Sequence, residues 1–142
     1  MPEPKTYAWE DLVPGTSESF TVDLSPSLVD AFAELSGDRN PLHVDAAFAA
    51  HTTFGERVPH GMIAGMLFSR LIGMYLPGRD ALYLSQTLEF AHPLPLTGTV
   101  RVTGSIRERS EATRTVRIQT SVSDGTNLLV RGEALVRLLS PL

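Results

Sequence analysis

Polar and apolar positions alternate from Glu18 to Leu24 around Phe20 and Val22, the period of a half-buried strand. The period then changes. Ser25 followed by Pro26 is a helix start, a capping hydroxyl with a proline at the first helical position, and Leu28, Val29, Phe32, Ala33 and Leu35 recur at helical spacing. Gly37 suits the helix C-terminus, and Asp38-Arg39-Asn40-Pro41 reads as loop chemistry because Pro41 has no amide hydrogen to donate. Asp38 and His43 are therefore expected in or beside a loop. A short helix is expected around Asp45 to Ala50, with Asp45 bonding the amides at its start, followed by a glycine-bearing connection from Thr52 to Val58.

The most apolar segment runs from Gly61 through Leu76. Met62, Ile63, Met66, Leu67, Leu71, Ile72 and Tyr75 cover most faces, and Pro77-Gly78 ends it. A helix this apolar is buried, yet with Ser69 and Arg70 inside it, it falls short of the roughly 20 apolar residues of a membrane span. Strands are predicted over 81–90, 98–108, 113–123 and 128–138, with a tight turn at Asp124-Gly125. No repeat or shift of composition marks a linker, so one domain over residues 1–142 is expected. A strand, helices and then an antiparallel meander predict an α+β fold in which a curved sheet wraps a buried central helix, the hot-dog architecture.

Composition narrows the function classes. A chain of 142 residues that is 42% hydrophobic and 20% charged can bury a core without staples. Its net charge of −4 argues against nucleic acid as a partner, since a phosphate-backbone binder needs a clustered basic surface. There are no cysteines, which excludes disulfides, thiolate metal ligands and a thiol nucleophile. The opening Met-Pro-Glu-Pro-Lys-Thr lacks the apolar core of a secretion signal, so the cytoplasm is the expected compartment and no membrane partner is expected.

The chemistry concentrates in one stretch. An Asp and a His five residues apart are common, but here they sit in Ser36-Gly37-Asp38-Arg39-Asn40-Pro41-Leu42-His43-Val44-Asp45, and His60-Gly61-Met62 then opens the buried helix. In these residues the chain resembles the MaoC-like, (R)-specific enoyl-CoA hydratase family, whose motif runs Gly-Asp-x-Asn-Pro-x-His-x-Asp and whose central helix begins His-Gly-Met or similar. Similar residues at Leu76-Pro77-Gly78, Tyr83, Gln86, Phe90, Pro93 and Gly132-Glu133-Ala134 extend the likeness over nearly the whole chain. The resemblance implies that Asp38 and His43 are the catalytic pair, that Asn40 helps order them, and that Gly61 supplies an oxyanion amide. It also implies a homodimer, and water addition to trans-2-enoyl-CoA giving (R)-3-hydroxyacyl-CoA.

Those residue types suit that reaction. Hydrating a double bond conjugated to a thioester needs a base for water, an acid for the α-carbon, and a donor for the carbonyl oxygen as it becomes enolate-like. His43 is favoured as the base and Asp38 as the proton carrier, with the reverse order open because such groups titrate as a pair. The third part is a main-chain amide at the positive end of the helix dipole, and Gly61 has no side chain to block the approach.

Other polar residues are given structural roles. His60, at a helix start, is expected to cap or pack; His51 and His92 have no partners in sequence. Met62, Met66 and Leu67 are expected to line the acyl tunnel, with core filling as the alternative for the methionines. No HExxH or comparable spacing is present, so no metal and no resident cofactor are predicted, the CoA thioester being substrate. No glycine-rich phosphate loop is present, which leaves Arg39, Arg57, Arg70 and Arg79 as candidates toward CoA phosphates. Competing readings are a dehydratase acting on acyl carrier protein thioesters or a specialised CoA substrate and, from another class, a thioesterase or a non-catalytic acyl-binding subunit. The absence of Asp and Glu from Gly61 to Met74 counts against the thioesterase. Acyl-chain length and pathway stay open.

Overall fold

The computed structural model describes residues 1–140. Strand β1 (Ser17–Leu24) leads into helix α1 (Pro26–Ser36), one-turn helix α2 (Pro41–Val44) and short helix α3 (Ala46–Ala50). The central helix follows as α4 (Ile63–Arg70) with a wider π turn over Leu71–Tyr75, and then come β2 (Ala81–Gln86), β3 (Glu89–Phe90), β4 (Gly98–Ser110), β5 (Thr115–Ser123) and β6 (Leu128–Leu138). The sheet is antiparallel throughout, in the order β1-β4-β5-β6-β2, with β3 also pairing to β6. No helix among the described residues is long and apolar enough to cross a membrane.

The helix signals in the sequence act as expected around α1. Ser25 Oγ accepts the Leu28 N–H at 3.2 Å, and Gly37, at φ 80°, closes the helix with its N–H on the Ala33 carbonyl at 2.9 Å. Three expectations change. Asn40-Pro41 is a second cap-plus-proline start, Asn40 Oδ1 accepting the Leu42 N–H at 3.1 Å, so His43 stands on a helical turn and not in a loop. The predicted strand over 81–90 breaks at Thr87-Leu88, and the strand expected from 113 begins at 115, after a turn in which Arg114 takes a left-handed φ of 54°.

One face of the sheet packs on the central helix. Val116, Ile118, Thr120 and Val122 of β5 point inward by alternation, opposite Phe68, Leu71 and Ile72, all buried. The apolar contacts divide in two: one cluster surrounds Ile63 to Leu71 with Phe20, Val29 and Val102, and the other surrounds Ile72 and Leu76 with Trp9, Leu12 and Ile118. The π turn, marked by the Leu76 N–H on the Leu71 carbonyl at 2.9 Å, explains the division. An extra residue in the turn re-phases the helix, so that the successive residues Leu71 and Ile72 both face inward, one into each cluster.

Within the sheet, Gly104 and Gly132 permit close approach. A Cβ on Gly104 would come within 2.9 Å of the Leu71 side chain, and one on Gly132 would lie 1.8 Å from the Thr87 carbonyl oxygen. The second lets the β2–β3 link lie flat on β6, where Thr87 exchanges hydrogen bonds with Glu133.

Candidate active site

Asp38 follows the helix-ending Gly37, and local bonds fix its loop. Ser36 Oγ accepts the Asp38 N–H at 3.1 Å, and Asp38 Oδ1 accepts the Asn40 N–H at 3.1 Å, which leaves the second carboxylate oxygen free of that turn. Asn40 then caps α2, which carries His43 one turn further on. The whole loop is therefore a relay of side-chain oxygens onto amides two residues ahead, and it delivers Asp38 exposed and His43 half-buried.

His43 is held by a distant segment. Its Nδ1 lies 2.5 Å from the Val58 carbonyl oxygen. A carbonyl only accepts, so Nδ1 carries a hydrogen, and in the neutral ring the lone pair is then on Nε2. The Val58 N–H in turn donates to the Leu42 carbonyl at 3.1 Å, and Arg57 Nε donates to the His43 carbonyl at 2.6 Å while its guanidinium pairs with Asp30.

His60 completes the group. It is 2% exposed, its ring lies 4.0 Å from that of His43 at an interplanar angle of 28°, and its Nε2 donates to the Asp38 carbonyl at 2.8 Å. Asp38, His43 and His60 each bring a ligand-type atom within 4.8 Å of the others, a grouping that spacing along the chain did not disclose. Capping or packing is the role expected of His60, and besides Phe32 its partners are the two site residues.

Gly61 starts the turn that leads into α4, with its carbonyl accepting the Ala64 N–H at 3.0 Å; among the described residues its own N–H reaches no main-chain acceptor. A Cβ there would stand 2.9 Å from the Phe90 ring, so Gly61 also lets β3 close over the helix start. Beside it is a cavity of about 250 Å³ bounded by Val58, Pro59, Phe90 and Leu94.

A groove of about 420 Å³ on the other side is lined by Phe32, Met62, Gly65, Met66, Gln86 and Leu88. It adjoins the site through Phe32, which packs on His60 at 4.8 Å, and through Met62, next to Gly61. Met62 and Met66 line this groove, whereas Leu67, expected beside them, is 3% exposed and belongs to the core. Burial pushes the Tyr83 phenol, also on this groove, up to about 12, and its hydroxyl donates to Gln86 Oε1. A concavity of about 450 Å³ on the outer face of the sheet, around Arg109, Arg117 and Arg137, contains none of the site residues, so size alone does not locate the chemistry. Of the arginines considered for phosphate, Arg57 and Arg39 are paired with Asp30 and Glu34, and Arg70 lies over the Phe20 ring at 4.3 Å.

The chain belongs to the MaoC-like domain family, whose profile matches residues 11–127. The hot-dog fold is the one its relatives have. Over 137 residues the chain is 39% identical to a 3-hydroxybutyryl-CoA dehydratase of Methylorubrum extorquens, covering 96% of this chain and 87% of that protein. It is 46% identical over 114 residues to an (R)-specific enoyl-CoA hydratase of Aeromonas caviae, covering 78% of this chain and 83% of the relative. The solved structure of an (R)-hydratase from A. caviae involved in PHA biosynthesis superposes with a TM-score of 0.87 at 37% identity, over 92% of this chain and 99% of that one.

Proposed function

We propose that this protein is an (R)-specific hydratase that adds water to trans-2-enoyl-CoA, reversibly, with Asp38 and His43 as its acid–base pair and the Gly61 amide as its oxyanion donor. The observation that carries the reading is the His43 tautomer. With Nδ1–H committed to Val58, the bare Nε2 is built to take a proton from water, and the exposed Asp38 carboxyl stands beside it. The hydroxyl then bonds to the β-carbon, and the proton that His43 takes from water passes by way of Asp38 to the α-carbon, so both parts of the water end on the product. As charge moves to the thioester oxygen, the unengaged amide at the head of the central helix receives it. Elimination retraces the same steps, which is why relatives named for hydration and for dehydration fit one site.

The acyl chain is assigned to the groove lined by Phe32, Met62, Met66 and Leu88. We further propose a homodimer, supported by β2, which pairs on one side only, and by Met62 and Met66, which are 56% and 38% exposed beside it. Purified protein is expected to consume crotonyl-CoA and yield the (R)-3-hydroxy product, and light scattering is expected to give twice the 15.5 kDa chain mass. Asp38→Asn and His43→Gln are each expected to lower kcat by about 10²–10⁴-fold, the usual share of a positioned acid or base. Full activity in either variant removes the pair from the mechanism, and release of free CoA thiol in place of hydration points to a thioesterase.

A further inference from the structure

His60 is a polar side chain where an apolar one would be cheaper. It is 2% exposed between Phe32 and His43, and its Nδ1 is buried with no hydrogen-bond partner among the described residues. An unsatisfied buried nitrogen is destabilising, a cost that a Phe or Leu at this position would avoid. Something must offset that cost, and the other nitrogen shows what does. Nε2–H donates to the Asp38 carbonyl at 2.8 Å, at a residue that lies outside any helix and follows the left-handed Gly37.

The same ring presses its face on His43 at 4.0 Å. His43 is already hinged at one point, Nδ1 on Val58, and a single hydrogen bond leaves an imidazole free to turn about that axis. The stack removes that freedom. Val58, Pro59 and His60 are consecutive, so one three-residue stretch holds the His43 nitrogen, the His43 ring plane and the Asp38 main chain, and passes directly into Gly61.

Resting on the function proposed above, we infer that His60 is a positioning residue, one that sets the separation and relative orientation of Asp38 and His43 without itself touching substrate. Its two contacts are separable by substitution. His60→Gln can keep an N–H on the Asp38 carbonyl and loses the stack; His60→Phe keeps the stack and loses the donor; His60→Ala loses both.

The test is steady-state hydration kinetics on the full chain, with thermal melts and nitrogen-15 imidazole spectra of His43 on the same samples. A site displaced by about 1 Å loses on the order of 10²-fold in rate, so kcat in His60→Ala should fall by about that factor with KM within about threefold of the parent. Gln and Phe should each recover part of the loss. The spectra should show His43 as one tautomer in the parent and as a mixture in His60→Ala. An unchanged kcat together with a single His43 tautomer in His60→Ala overturns the inference, as does a kcat loss fully accounted for by the unfolded fraction. Should the parent hydrate no enoyl thioester, the proposed function fails, and the tautomer spectra, which need no turnover, still decide whether His60 positions His43.

Discussion

Replacing Asn40 by Ala tests how a loop of side-chain caps translates into catalysis. Asn40 accepts one hydrogen bond, from the Leu42 N–H at 3.1 Å, at the start of the four-residue helix that ends just past His43. Losing an N-cap costs about 1 kcal/mol, which for a domain of this size lowers the melting temperature by about 2–4 °C. That is a small effect on the fold. The effect on rate should be larger, because so short a helix depends on its cap, and without it the main chain that carries His43 loosens while only the contacts to Val58, Arg57 and His60 still hold the residue. A shift of about 1 Å in a reacting group is worth on the order of 10²-fold in rate, so kcat is expected to fall far more than stability. Asn40→Ser supplies an equivalent cap and should recover both. Melting curves and hydration kinetics on the three proteins check this. An Asn40→Ala protein with parental kcat refutes the reasoning, and a Ser variant as slow as the Ala variant shows that the amide group itself acts on substrate.

Three further outcomes follow from the geometry. Gly132→Ala sets a Cβ against the Thr87 carbonyl oxygen, which is main chain and cannot step aside, so expression as soluble protein should drop sharply and any folded fraction should melt well below the parent. Tyr83, raised by burial from 10.0 to about 12, is neutral in the fold at pH values where the unfolded chain has ionised. Its stabilising contribution is therefore complete below pH 10, is lost as pH rises toward 12, and a Tyr83→Phe protein should show a shallower fall of melting temperature across that window. Because the proposed steps use only Asp38, His43 and a main-chain amide, dialysis against a chelator should leave hydration rates unaltered; a rate lost on chelation and restored by a divalent ion would instead assign Asp38, His43 and His60 to a metal.

The parts of the fold that could be read from the chain are those whose cause is local. Ser25-Pro26 and Gly37 bracket α1, and alternation gives β1 and β6 to within a residue. The Asn40-Pro41 start carried the same signal as Ser25-Pro26, but no periodic run followed to reveal a helix, because the helix stops after one turn. The π turn escaped for the opposite reason: residues apolar on nearly every face give no phase, so a shift of phase leaves no mark. In the site, Asp38, Asn40 and His43 form a contiguous motif. His60, Val58 and Arg57 reach the same place through tertiary contacts 14 to 22 residues away, and no spacing rule announces a stacked ring or a shared carbonyl.

The widened turn in the central helix has a mechanical consequence. Its upstream half shares a cluster with the elements that frame Asp38 and His43, while its downstream half is tied to the N-terminal arm, through the Lys5 N–H on the Met74 carbonyl and through Trp9. The π turn is thus the seam between two sets of contacts, bridged by Tyr75, which stacks on Phe20 of the upstream cluster. A substitution at Trp9, which packs only in the downstream cluster, is therefore expected to lower the melting temperature more than it lowers turnover.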